Sequence, residues 1–212
     1  MSPDSFKTEL EIALEQIASF SEYFGKLLGY SPFRQLQNIS LEYMRECERL
    51  MLNKGDLTIL ALGCRNVIEL YLISRHIISD KKYLDNWTFQ ADKDSTDIMS
   101  GLIDLINSRE LDDSEAQEIL SKHVEKSKCL AVPKKGQFDI KLLAEKYGFL
   151  ADYKSIHKLC SKLIHPTSGK VNFYSSFHSS KDYHEVLRLA AQYFIDLFIK
   201  HCESIQYYDE KT

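Results

Sequence analysis

Residues Leu57–Ile78 read LTILALGCRNVIELYLISRHII, and the spread of their apolar side chains decides the fold. Wound at ~100° per residue, the stretch is apolar on almost every face. A helix of that kind has no side to give to water and belongs at the centre of a bundle. Asp56 stands immediately before it as a helix cap. A membrane span is the competing use of so apolar a segment, but Arg65, Glu69, Arg75 and His76 lie within it and argue against one. Thr58, Leu62, Arg65, Glu69, Leu72 and His76 align on one stripe, and Arg65 and Glu69 are spaced to pair at i, i+4. Charges placed so deep are costly unless paired. The pair is therefore either a structural ion pair, or Arg65 faces a cleft and grips a phosphate with its planar fork.

The same periodicity extends in both directions. Asp4 or Ser5 caps a first helix expected to reach about Leu28, with Gly29 behind it. Ser31 and Pro32 open a second that stops near Gly55. From Ser79 to Val132 the pattern is choppier and reads as shorter helices, with Ser114 and Gln117 spaced as a capping box. AVPKKGQ is a loop, FDIKLLAEKYG a helix, and KDYHEVLRLAAQYFIDLFIKHCESIQYY a long final helix. Only KVNFYSSF alternates as a strand would. These features predict one all-α domain over residues 1–212, a helical bundle of four long helices with shorter ones inserted.

Charge and cysteine use narrow the class further. The formal net charge is −4, so the chain as a whole is acidic. Cys47, Cys64, Cys129, Cys160 and Cys202 stand far apart and form no C-x-x-C pair. A disulfide framework or zinc ribbon is not expected, and a reducing compartment is. The opening MSPDSFKTELEIAL carries acids where a secretion signal is basic. A soluble cytoplasmic protein without cofactor or metal is the expectation.

Against this acidic background one stretch stands out: YKSIHKLCSKLIHPTSGK, Tyr153–Lys170, with four lysines, two histidines and no acid. On a wheel, Ile156, Leu159, Cys160, Leu163 and Ile164 share a side with Tyr153. Lys154, His157, Lys158, Ser161, Lys162 and His165 fill the other, within roughly 140° of arc. The apolar side explains docking, and it puts Cys160 in the core. The cationic side reads either as a solvated face or as a phosphate-binding surface, with Lys170 adding to it beyond the helix. His165 ends the helix directly before Pro166, so its backbone is expected to leave the helical region. The helix dipole favours its protonated form and the lysines oppose it, a balance suited to a general acid or base. His157 and His165 have no carboxylate or cysteine at metal-ligand spacing. Phosphate-loop, dinucleotide and serine-hydrolase motifs are missing from the chain.

Two segments, CRNVIELYLISRHI on the central helix and LAEKYGFLADYKSIHKLCSKLIHPT near the C-terminal end, together resemble a branch of the HEPN superfamily of helical nucleotide-binding domains. The resemblance covers roughly residues 35–205, with residues 1–30 as an added N-terminal helix. It implies a dimerising bundle and, in many members, a metal-independent endoribonuclease of toxin–antitoxin or antiviral systems. RNA or a nucleotide and an antitoxin or defence partner are the implied partners. The family motif is Arg, four to six residues, then His. With His165 as the histidine, the arginine position holds Lys158, Leu159 or Cys160, so only a lysine supplies charge there. In this reading His165 and His157 move protons, and Lys158 stabilises the phosphoryl oxygens. Lys154, Lys162, Lys170 and Arg65 hold phosphate, with Glu69 behind Arg65. The rival is a non-catalytic module that binds nucleotide, RNA or protein through the same face.

Overall fold

Capping and apolar spacing set the helices one by one in the computed structural model, which describes residues 1–27, 31–53, 55–108, 114–127 and 138–209. Among them every regular element is helical. The chain divides into two compact units, Met1–His76 with Phe138–Thr212, and Ile77–Gln137.

In the first unit α1 (Pro3–Lys26) begins at Ser2, whose side chain accepts from the Ser5 amide, with Pro3 in the first turn. Its inner face is Phe6, Leu10, Ala13, Ile17, Phe20 and Phe24, spaced four and three apart in turn, and it lies on α2 (Ser31–Met51) and α11 (Lys181–Asp209). α2 answers with Leu36, Ile39, Tyr43, Cys47 and Leu50, all buried. The end expected near Leu28 falls outside the described residues, as does Gly29.

α3 (Leu57–Ser79) is the centre that its composition predicts. Asp56 Oδ1 accepts from the amides of Thr58 and Ile59, at 2.7 and 3.2 Å. Of the whole helix only Ile59 and Ser79 are exposed. Its length and composition would also allow it to cross a bilayer, yet 56% of its most apolar window is buried inside the protein. Two contacts seat it against its neighbours. Tyr43 donates to the Val67 carbonyl at 2.6 Å and stacks on Phe198 of α11, ring centres 3.9 Å apart. Gly63 lets Leu50 approach so closely that a Cβ there would sit 2.7 Å from a Leu50 methyl.

The second unit pairs α4 (Lys81–Ser108) with α5 (Ser114–Ser127). α4 is one helix where shorter ones are expected. The helix-poor run Asp92–Asp97 and Gly101 lower local propensity, but propensity is a weak prior beside a cap, here Asp80 accepting from the Lys82 amide, and a packed face. The side chains of Ser114 and Gln117, expected as a capping box, and the AVPKKGQ loop lie outside the described residues.

The chain returns through α6 (Ile140–Lys146), capped by Asp139 and closed at Gly148 with φ 83°. There the Phe149 amide reaches the Ala144 carbonyl and the Gly148 amide that of Glu145, a Schellman ending. Next come α7 (Leu150–Asp152), a π-helical turn over Tyr153–His157, and α8 (Lys158–Ile164). KVNFYSSF is no strand. It falls in two short helices, α9 (Ser168–Asn172), capped by Thr167, and α10 (Tyr174–His178).

Candidate anion-binding site

The basic segment enters α8 through the π turn, whose bonds run i→i+5. His157, expected on the exposed side, is buried instead and is only 6% exposed. Lys154, Lys158 and Lys162 remain exposed as expected, and Cys160 and Leu163 are buried.

Inward, His157 meets the α3 stripe. Its Nε2 lies 2.8 Å from Glu69 Oε1, the same oxygen that accepts from Arg65 Nε at 2.7 Å. The expected Arg65–Glu69 pair thus exists, with both side chains half-buried, and it extends to a third residue across two elements. Tyr153 stacks on the His157 ring at 4.7 Å. Burial pushes the Glu69 carboxyl up, but the hydrogen bonds from His157 and Arg65 outweigh it and hold it below the usual carboxylate range. His157 Nδ1 is buried without a hydrogen-bond partner among the described residues. The arrangement fastens the basic segment to α3 and takes up Arg65 Nε and His157 Nε2.

His165 is elsewhere. Its backbone is extended (φ −81°, ψ 149°), as the following proline requires, and its ring is exposed. Eight residues from His157, it is displaced along the axis by ~12 Å at 1.5 Å per residue. Lys154, Lys158 and Lys162 have no ion-pair partner among the described residues. Lys170 donates to the Ile164 carbonyl at 3.4 Å, so it covers the free end of α8.

Beside that end lies a cavity of about 420 Å³. Lys162, Lys170, Thr167 and Ser168 line it together with the apolar Leu159 and Leu163. Phe177 and Tyr183 complete the lining, their rings stacked at 5.6 Å and 13°. Sequence reasoning finds the two lysines but not this pair. Its signal was the aromatic and hydroxyl-rich run FYSSFHSSKDY, hidden by the strand reading of its first half.

Among the described residues no three His, Cys, Asp or Glu side chains gather as metal ligands. Cys64 and Cys160 are both buried. The hydrogen bond between them, then burial, pushes the Cys64 thiol well up, which makes it a poor nucleophile. Comparison with family models, with curated proteins and with solved structures gives no match to this chain.

Proposed function

We propose that the protein binds RNA through the lysine face of α8 and its π turn, and that His165 lets it act on the bound strand. One observation carries this reading: Lys154, Lys158 and Lys162 stand one turn apart on an exposed face, with no acid to neutralise them among the described residues. Like charges so spaced cost ~0.2–0.5 kcal/mol per pair, a cost a phosphate backbone relieves. In the cleavage step His165 takes the proton of a 2′-OH while that oxygen attacks the adjacent phosphorus. The P–O5′ bond breaks, the leaving oxygen takes a proton from water, His165 gives its own back to solvent, and the products are a 2′,3′-cyclic phosphate and a 5′-OH. Lys158 and Lys162 stabilise the charge on the phosphoryl oxygens. His157 and Arg65, hydrogen-bonded to Glu69, hold the segment in place. The HEPN resemblance supports a setting in toxin–antitoxin or antiviral defence, in the cytoplasm, beside a partner protein and as a homodimer.

A second reading, binding without cleavage, is favoured by the engagement of His157 and Arg65 with Glu69, which leaves His165 as the exposed acid–base group of the segment. RNA incubated with the protein in excess chelator separates the two. Cleavage that falls by about 10²–10⁴-fold in His165→Ala, with binding kept, supports catalysis. RNA bound intact by the wild type leaves the binding module. RNA that neither binds nor breaks at low salt removes both.

A further inference from the structure

The cavity at the end of α8 has the chemistry of a more selective site than a lysine face. Lys162, Lys170, Thr167 and Ser168 bring two amines and two hydroxyls to its lining. An aromatic pair, Phe177 stacked on Tyr183, belongs to the same lining. Among the described residues no carboxylate lines it. Its volume, about 420 Å³, falls within the ~300–1,000 Å³ of small-ligand pockets. A ligand that uses all of this lining is anionic and hydroxyl-accepting in one part and aromatic and planar in another.

We infer that this cavity is a subsite for a single nucleotide unit, with the phosphate held by Lys162 and Lys170 and the base against the Phe177–Tyr183 pair. The inference deepens the RNA-binding reading, on which it rests for the origin of the nucleotide. The lysine face holds phosphates without regard to the bases, whereas this pocket engages a base as well, through stacking that tolerates sequence. The nucleotide is either free or the end of an RNA chain.

The experiment titrates the full-length, isotope-labelled chain with AMP, ribose 5-phosphate and orthophosphate, followed by NMR. Expected are amide shifts at Leu159, Thr167, Ser168, Lys170, Phe177 and Tyr183, and AMP binding about tenfold or more tighter than ribose 5-phosphate, which lacks the base. Equal affinity for the two, or shifts confined to Lys154 and Lys158, overturns the inference. Gly169→Leu tests the place without removing charge, because a Cβ at Gly169 meets only the Phe177 ring at 3.8 Å and the longer side chain enters the cavity. It is expected to abolish AMP binding, and retained binding overturns the inference. The wild-type affinity ratio decides the matter alone where that variant does not fold. A 5′-phosphorylated oligoribonucleotide that outcompetes its 5′-hydroxyl form for AMP assigns the pocket to a chain end, and AMP binding undisturbed by either assigns it to free nucleotide. RNA binding lost in Lys154→Ala/Lys158→Ala with no AMP in the cavity sinks the inference and keeps the function. AMP in the cavity with RNA binding unchanged by those substitutions does the reverse.

Discussion

Glu69 and His201 answer acid in different windows. Glu69 has its carboxyl held below the usual range in the folded chain. A depressed carboxylate contributes stability above its unfolded value, about 4.3, and loses it as pH falls through the lower folded value. His201 behaves differently. Burial, then the nearby Arg75, lower it from 6.5 to about 4, against a hydrogen bond to the Ser74 backbone. Between those values the unfolded chain binds the proton and the folded chain does not, so stability falls by a few kcal/mol as pH drops from 6.5 toward 4. Denaturant melts from pH 7.5 to 3 should show two descents. His201→Phe should flatten the upper one, and Glu69→Gln the lower one. A profile level from pH 6.5 to 4.5 in the wild type counts against the His201 assignment. The sequence displayed the Arg65–Glu69 pair through its i, i+4 spacing, but nothing in it announced His157 as the third member, because that contact joins residues far apart in the chain.

The helices themselves were largely legible, since cap residues and apolar spacing are local. Asp56 opens α3 where expected, and Leu57–Ile78 differs from the observed helix by a single residue. The π turn at Tyr153–His157 was not legible. No residue type in YKSIH marks it. KVNFYSSF misled because its alternation is only as long as the two five-residue helices that replace it. Close approach between helices is also invisible in one sequence, and Gly63 is the example. A methyl added there meets the Leu50 side chain at 2.7 and 2.8 Å. Both residues are buried, so Leu50 must give way inside a filled core. Gly63→Ala should therefore cost about 1–3 kcal/mol as overpacking, even though alanine is the better helix former by about 1 kcal/mol. Thermal unfolding gives the sign directly. A stabilised variant would mean that α2 and α3 are not held this closely.

Across the whole chain, acids outnumber Lys and Arg by 31 to 27, yet the span from Tyr153 to Lys170 holds no acid at all. In the proposed reading, segregation of this kind keeps long-range attraction for RNA weak while one face binds at short range, so the salt dependence should be modest and set by few contacts. Single-stranded binding loses ~0.7 log unit per log unit of salt for each phosphate neutralised, which for three lysines gives a slope of roughly 2 per copy. Removing Lys158 and Lys162 should flatten it by more than half. One such helix is a shallow site, and two across a twofold axis would concentrate the field on a bound strand. Val171 and Phe173, 65% and 62% exposed beyond the end of α8, are apolar side chains that a second copy can cover. The dimer should thus appear in light scattering at micromolar concentration. Val171→Asp/Phe173→Asp should return it to monomer and lower the salt slope to the single-copy value. A wild-type monomer with the single-copy slope leaves each basic face acting alone, because the slope counts phosphates met at once and a second copy would double it.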